Sequence, residues 1–383
     1  MRRSILLFLF VVGLILGARP ALATTFAVGT CRPSLVSFPT ISAAVSSPLT
    51  IGGTILVCPG TYGEQVVISQ PLTLQGISSA DSDQVIIAVP AGGLSTSIGI
   101  AAVQVFVTTG PVNISNIIVD GTGNNLAGTG VNLVGIFYDS GSSGVINHVT
   151  TRNQIDSGEG FGIEANNTGS TSESVTIENS SVHDFDNSGI TAFTNSSSPS
   201  LTAIIKANRV NQSDSTITNT VFGIAMNAPG SVTGNIVTGA GNATSSEGIS
   251  VTDGPVTISG NSVSNWGTGI VDFFGAGATY ASNSVSNSGF GIFLVASGAV
   301  VQSNTITESP FVGIDFFCEA ATVSGNTIND TPTGINDVLT SFSMSNTFFN
   351  VGTIRDHGGC TASLSNSSPK RPMPRPVPLS DTR

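Results

Sequence analysis

The sequence predicts an all-β solenoid in which short strands from successive coils stack in parallel along one axis. Three observations carry that expectation. The first is a repeat: VTISGNSVSNWGTGIVDFFGAG, ATYASNSVSNSGFGIFLVASGA, VVQSNTITESPFVGIDFFCEA and ATVSGNTINDTPTGINDVLTS follow one another as units of 22, 22, 21 and 21 residues. The second is a pair of columns that extends the repeat upstream. An Asn recurs at 116, 147, 179, 208, 235, 261, 283, 304, 326 and 346, and a Gly-Ile pair recurs with its isoleucines at 136, 163, 190, 224, 249, 270, 292, 314 and 335. The third is composition: 9% charged residues, 45 Gly in 383 residues, only 2 Lys, yet 39% hydrophobic. A coiled coil or helical bundle needs Glu, Lys, Leu and Ala in quantity, and a disordered chain needs high charge with few apolar residues. A nucleic-acid binder needs a basic face, so that class is excluded too.

From the N-terminus, Arg2 and Arg3 precede the apolar run Ile5 to Leu16, and Ala21-Leu22-Ala23 supplies small residues at a cleavage position. This pattern predicts a signal peptide over residues 1–23, hence a secreted, periplasmic or cell-surface protein with no transmembrane segment. The mature body, residues 24–366, is expected to form one domain. From Thr24 to Ser368 it carries 5 basic and 22 acidic residues, a net charge of -17. Cys31, Cys58, Cys318 and Cys360 are an even set in an exported chain; of three possible connectivities, Cys31–Cys58 and Cys318–Cys360 pair neighbours at each end. Residues 367–383 hold five prolines and a basic excess and read as a disordered tail.

Within the repeats, apolar residues alternate with Ser, Thr and Gly over short runs, the period of a half-buried strand. Two positions after the Asn stands an apolar residue: Ile118, Val149, Val210, Val237, Val263, Val285, Ile306, Ile328 and Phe348; the Asn179 unit is the exception, with Ser181 before Val182. A unit this short cannot bury its own apolar side. Stacking like on like at ~4.8 Å can. The Asn column fits a sharp corner, because Asn tolerates the left-handed conformation, and its amides can form a ladder.

These columns resemble the right-handed parallel β-helix proteins of the pectin-lyase-like superfamily, over roughly 112–352. The segment PTISAAV followed by TILVCPGTYGEQVVISQPLTLQGI resembles the opening of pectinesterases. The resemblance implies a short N-terminal capping helix, with Ile41, Ala44 and Val45 plugging the barrel, and about 11–13 coils. It also implies a substrate laid along one outer sheet, here the Gly-Ile strands. The spacing from Asn to Gly is 19, 15, 10, 15 and 13 residues in the first five units and then 8, 8, 9 and 8, so longer loops flank the N-terminal half.

Three constellations are candidates for chemistry. GTGIVDFFG resembles a pectinesterase motif whose Asp is the nucleophile, which places Asp272 in that role; the family's flanking Gln and later Arg are missing here. Asp272 and Asp315, read as both outward and two coils apart, give a carboxylate pair ~9.6 Å apart, near the spacing of inverting glycosidases, with Phe293 between them to stack on a sugar. Eight acids lie between Asp139 and Asp186 against one base, Arg152, and of these Glu164, Asp184 and Asp186 are the expected cation ligands, for Ca²⁺. In the resembled lyases Ca²⁺ bridges enzyme carboxylates to a uronate, and a Lys or Arg takes the proton. The three histidines show no metal spacing. Polysaccharide recognition without catalysis is the leading function, beside a polysaccharide-processing enzyme (uronate lyase, epimerase, glycosidase or esterase) and a structural surface protein or adhesin.

Overall fold

A computed structural model describes residues 24–356 except 78–83, 195–199, 218, 242–244, 253–254, 274–276, 296–297, 317–320, 337–340 and 343–344. Residues 1–23, expected as a signal peptide, the Pro-rich residues 367–383, Cys318 and Cys360 lie outside the described residues. Cys31 and Cys58 are joined in a disulfide.

All strand-to-strand ladders run parallel, and each coil contributes one strand to each of three stacks. The first stack is a 14-stranded sheet; its first two strands belong to the N-terminal cap and each of the others begins a coil, giving twelve coils among the described residues. The second stack runs from Gly60–Gly63 through Ile118–Asp120 and Ser262–Ser264, and the third from Val66–Ile68 through Gly160–Asn167 and Val312–Phe316. The two merge in the last coils, where Thr327–Asn336 and Thr347–Asp356 run through both. The right-handed parallel β-helix read from the repeat is therefore the fold.

The isoleucine column holds without a break. Ile136 pairs with Ile163, Ile163 with Ile190, and so on to Ile314 with Ile335, and all nine are fully buried. Val105 and Val66 continue it upstream. The glycine before each isoleucine has a steric cause. A Cβ on Gly223, Gly248 or Gly291 would sit 2.4–2.5 Å from Val237, Val263 or Ile306 of the following coil, and equally close to the carbonyl of the next glycine in the column. Each coil is thus packed against the next with no room for a methyl group.

The Asn column is partly reassigned. From Asn208 to Asn346 the seven side chains form a ladder: each Oδ1 accepts from both the backbone N–H and the Nδ2 of the preceding Asn at 2.9–3.0 Å. The left-handed corner is the residue before the ladder, such as Ala207, Gly234 or Ser282. In the earlier coils Asn116, His148 and Asn179 take that positive φ, and Ile117, Val149 and Ser180 stand where the ladder would be. The inward apolar column there is accordingly Val119, Thr151 and Val182, in place of Ile118 and Val149.

The ladder is fully satisfied: Asn261 Nδ2, for instance, also donates to Val232 O at 2.9 Å. Asn283→Ala would strip an acceptor from the Asn261 N–H and Nδ2 and a donor from Ile258 O, all buried. We expect a loss of about 1–3 kcal/mol in denaturant unfolding, and no rescue by Asn283→Leu, which fills the space but bonds nothing.

The N-terminal cap matches expectation. Ile41–Val45 is a helix with Ile41, Ala44 and Val45 buried over the first coil. Thr40 accepts from the Ala43 N–H, and Glu64, the acid of PGTYGE, accepts from the N–H groups of Ile41 and Ser42 and from the Ser42 hydroxyl at 2.6–2.9 Å. That segment is a helix-capping device here.

Candidate functional site

The third stack turns its isoleucines inward, so the residue after each isoleucine faces out. Along the axis that outward column reads Phe106, Phe137, Glu164, Thr191, Ala225, Ser250, Val271, Phe293, Asp315 and Asn336. Its N-terminal third is covered. Phe106, Phe137 and Phe161 form a second small core with Ala101, Val103 and Val134 beneath Ile98, and the Phe106 and Phe137 rings stack at 5.5 Å. Gln65 ties the covering loop down through Ser95. The segment around Ser95 and Ile98 therefore covers the first coils of this face.

From the coil of Thr191 onward the column residues Thr191, Ala225, Ser250 and Val271 stay buried, and Phe293 and Asn336 are its half-buried members. Thr191, Ala225 and Ser250, with Phe193, Asn227 and Thr252 beside them, line a shallow, water-sized dimple of about 10 Å³. The Ser250 hydroxyl is buried there with no protein hydrogen-bond partner. Beyond it lies a strip of four phenylalanines. Phe273 meets Phe293 at 6.5 Å, Phe293 meets Phe290 at 5.6 Å, and Phe290 meets Phe311 at 5.3 Å. Phe311 is 51% exposed and the other three are half-buried. Asp315 sits one coil beyond Phe293 in the same column and accepts from Asn336 Nδ2 at 2.9 Å. Burial pushes the Asp315 carboxyl up to about 6 despite that bond.

Asp272 does not join this face. It pairs laterally with Val251 and Leu294, in the inward column two residues beyond Ile270, and is fully buried. Across the core the Tyr280 hydroxyl donates to its carboxylate. Between Ile270 and Asp272 stands one residue, and between Ile314 and Asp315 none, so the two aspartates fall on opposite sides of the sheet. Thr268–Asp272 pairs without a bulge, so Val271 is an ordinary outward residue and the two-carboxylate arrangement expected for Asp272 and Asp315 is replaced by one acid inside the barrel and one buried on the outer side of the sheet.

The expected cation ligands are also apart in role. Glu164 is buried on the outward column between Phe137 and Thr191. Asp184 lies at a left-handed corner, 2.5 Å from His183 Nδ1. Asp186 accepts the N–H groups of Asp156, Gly158 and Gly160 at 2.7–2.8 Å and so ties down the loop before the third stack. Among the described residues no three His, Cys, Asp or Glu side chains come together in a metal-holding set. Arg152, in the second-stack strand Thr150–Gln154, is engaged by Asp120 at 2.7 Å.

Two buried carboxyl pairs escaped the sequence reading. Burial, then the charges of Asp186 and Glu159, push Asp156 up to about 7. Burial, then the charge of Asp139, push Glu173 up to about 8. Glu173 shares an inward column with Val175 and Ile177. A signal did exist: in ESVTIE an acid takes the first place of an alternation whose other members are apolar.

No protein-family model matches the sequence, and no curated protein matches it either. Solved structures do. The A-module of a mannuronan C-5 epimerase from Azotobacter vinelandii aligns with 87% of this chain and 95% of its own, at 16% identity and a TM-score of 0.56. The Dettilon tailspike protein aligns with 78% of this chain and 62% of its own, at 15% identity and a TM-score of 0.59. A lacto-N-biosidase from Eubacterium ramulus aligns with 85% of this chain and 68% of its own, at 11% identity and a TM-score of 0.59. These neighbours share the parallel β-helix of the pectin-lyase-like fold. The narrower resemblance to pectinesterases is not supported: the acid of PGTYGE caps a helix and the Asp of GTGIVDFFG is inside the barrel.

Proposed function

We propose that the protein is exported and binds polysaccharide along the outer face of the third stack, from the coil of Thr191 to that of Asn336. The observation that carries this reading is the strip Phe273–Phe293–Phe290–Phe311 beside Asp315 and Asn336. Sugar rings present apolar C–H faces that pack on phenyl rings, while a flanking carboxylate and amide take their hydroxyls. Coils at ~4.8 Å make this a linear surface of ~29 Å over six steps, suited to an extended chain. The names of two structural neighbours, a mannuronan epimerase and a lacto-N-biosidase, support a carbohydrate ligand. The disulfide supports an oxidising compartment, and no helix among the described residues is long and apolar enough to cross a membrane.

Electrophoresis of the mature protein through gels containing single polysaccharides tests this. At least one polymer should retard it, and Phe293→Ala should weaken that retention about tenfold, the loss of one ring–sugar contact of about 1.4 kcal/mol. Unchanged retention in a Phe293→Ala/Phe311→Ala double variant would overturn the reading. A processing role for the same face rests on Asp315, whose raised carboxyl suits a proton donor. New reducing ends that disappear in Asp315→Asn would favour it over binding alone.

A further inference from the structure

We infer that the polysaccharide is an uncharged one: its residues carry hydroxyls and ring faces but no carboxylate or sulfate. This rests on the proposed binding face and names the ligand class that face takes. Three features of the face converge on it.

The first is charge. The eight third-stack strands from Asn132–Asp139 to Val312–Phe316 place Asp139, Glu164, Glu247 and Asp315 on their outward side and contain no Lys, Arg or His. Of the described cations, Arg152 is held by Asp120 in the second stack and Lys206 by Glu178 in the first, while Arg355 stands at the far end of the third stack, in register with Ile335. The body behind these strands carries a net charge of -17. A polyuronate laid along the face would bring a like charge at every sugar and meet no counter-charge on those eight strands, whereas an uncharged chain is indifferent to the charge of the body.

The second is the polar complement of the strip. Ser250 Oγ and Asn336 Oδ1 are buried atoms with no protein partner, and they stand on the outward column on either side of Phe293. Both accept from a neutral hydroxyl without any change of charge. The third is the strip itself, whose four rings offer dispersion and C–H contact but no group that would neutralise an anion.

The test is affinity electrophoresis of the wild-type mature protein in gels of a neutral β-glucan, a neutral galactomannan, alginate and polygalacturonate. Each is run at pH 7 with and without Ca²⁺, in about 20 mM and about 500 mM NaCl. One neutral polymer should retain the protein at least tenfold more strongly than either polyuronate at low salt, and the gap should narrow at high salt as repulsion is screened. Retention by a polyuronate as strong as by any neutral polymer, with or without Ca²⁺, would overturn the inference while leaving the polysaccharide-binding face intact. A gap that stays constant with salt would overturn the electrostatic account. Retention by none of the four, nor by any polymer of a wider panel, would remove the binding face itself.

Discussion

The protein should lose stability as pH rises from about 4.5 to 8, and Glu173→Gln should remove much of that loss. Glu173 is 2% exposed, in the inward column of the first sheet, beside the charge of Asp139. Below about pH 4.5 its carboxyl is protonated in the folded and the unfolded chain alike and costs nothing. Between 4.5 and about 8 the unfolded chain releases the proton and the folded chain retains it, so each pH unit removes about 1.4 kcal/mol. Above 8 the loss is complete, on the order of 4 kcal/mol. Asp156, raised to about 7, and Asp315, raised to about 6, act in the same direction over narrower windows. Asp120 opposes them only in acid: burial would raise it, but hydrogen bonds from Asn153, Thr122 and Arg152 outweigh that and hold it down to about 2, so its contribution is lost below pH 4. Gln keeps the shape of the protonated acid and cannot ionise. Thermal unfolding at pH 5, 6.5 and 8 should show wild type falling steeply and Glu173→Gln falling less, with the variant the more stable at pH 8. Parallel curves for the two proteins would rule the assignment out.

The placement of Glu173 shows where sequence reading reaches and where it stops. The isoleucine column was legible because each coil spends one residue on it and every coil spends the same one; the register from Ile136 to Ile335 follows without a gap. The Asn column was legible only from Asn208 on. Asn serves two adjacent positions at this corner, the left-handed residue and the ladder residue, and the letter alone does not say which. Asn179 takes the first use and Asn208 the second, so aligning like with like shifted three early coils by a residue or more. The aspartates show a stricter lesson. Superposing Ile270 on Ile314 puts Asp272 and Asp315 one residue apart, and the two-residue period of a strand then demands opposite faces. Asp272 is accordingly inside, against Tyr280. Phe293 could be placed on the outer face from that same period, but its ring partners Phe273, Phe290 and Phe311 come from a turn and from other columns, and only the coordinates assemble them. Asp156 and Glu173 stand among the eight acids between Asp139 and Asp186, and composition carries no information on which of those are buried.

The glycine column supports the second large expectation, a severe loss on replacing Gly269 by Val. A Cβ at Gly269 would lie 2.3 Å from Val285 Cγ1 and 2.7 Å from the Gly291 carbonyl, distances no real Cβ contact shows. Neither neighbour can yield cheaply. Val285 is fully buried in the apolar column of the next coil, and the Gly291 carbonyl belongs to the backbone that carries Ile292. Overpacking a tight interior commonly costs 1–3 kcal/mol, and here two further methyls follow the first, so at least about 3 kcal/mol is expected. In a solenoid each coil is stabilised chiefly by its neighbours, so the damage should be local before it is global. The interface between the coils of Ile270 and Ile292 would open first, and limited proteolysis should cut there while both flanking halves persist. Phe273 and Phe293 come from those two coils, so the ring strip would be broken at its centre and polysaccharide retention lost with it. Gly92→Ala is the matched comparison: a Cβ there meets nothing within 4 Å, and its melting curve should overlay wild type. A Gly269→Val protein that melts with wild type would mean that the coils tolerate wider spacing, and the steric reason given for the Gly-Ile pair would fail with it.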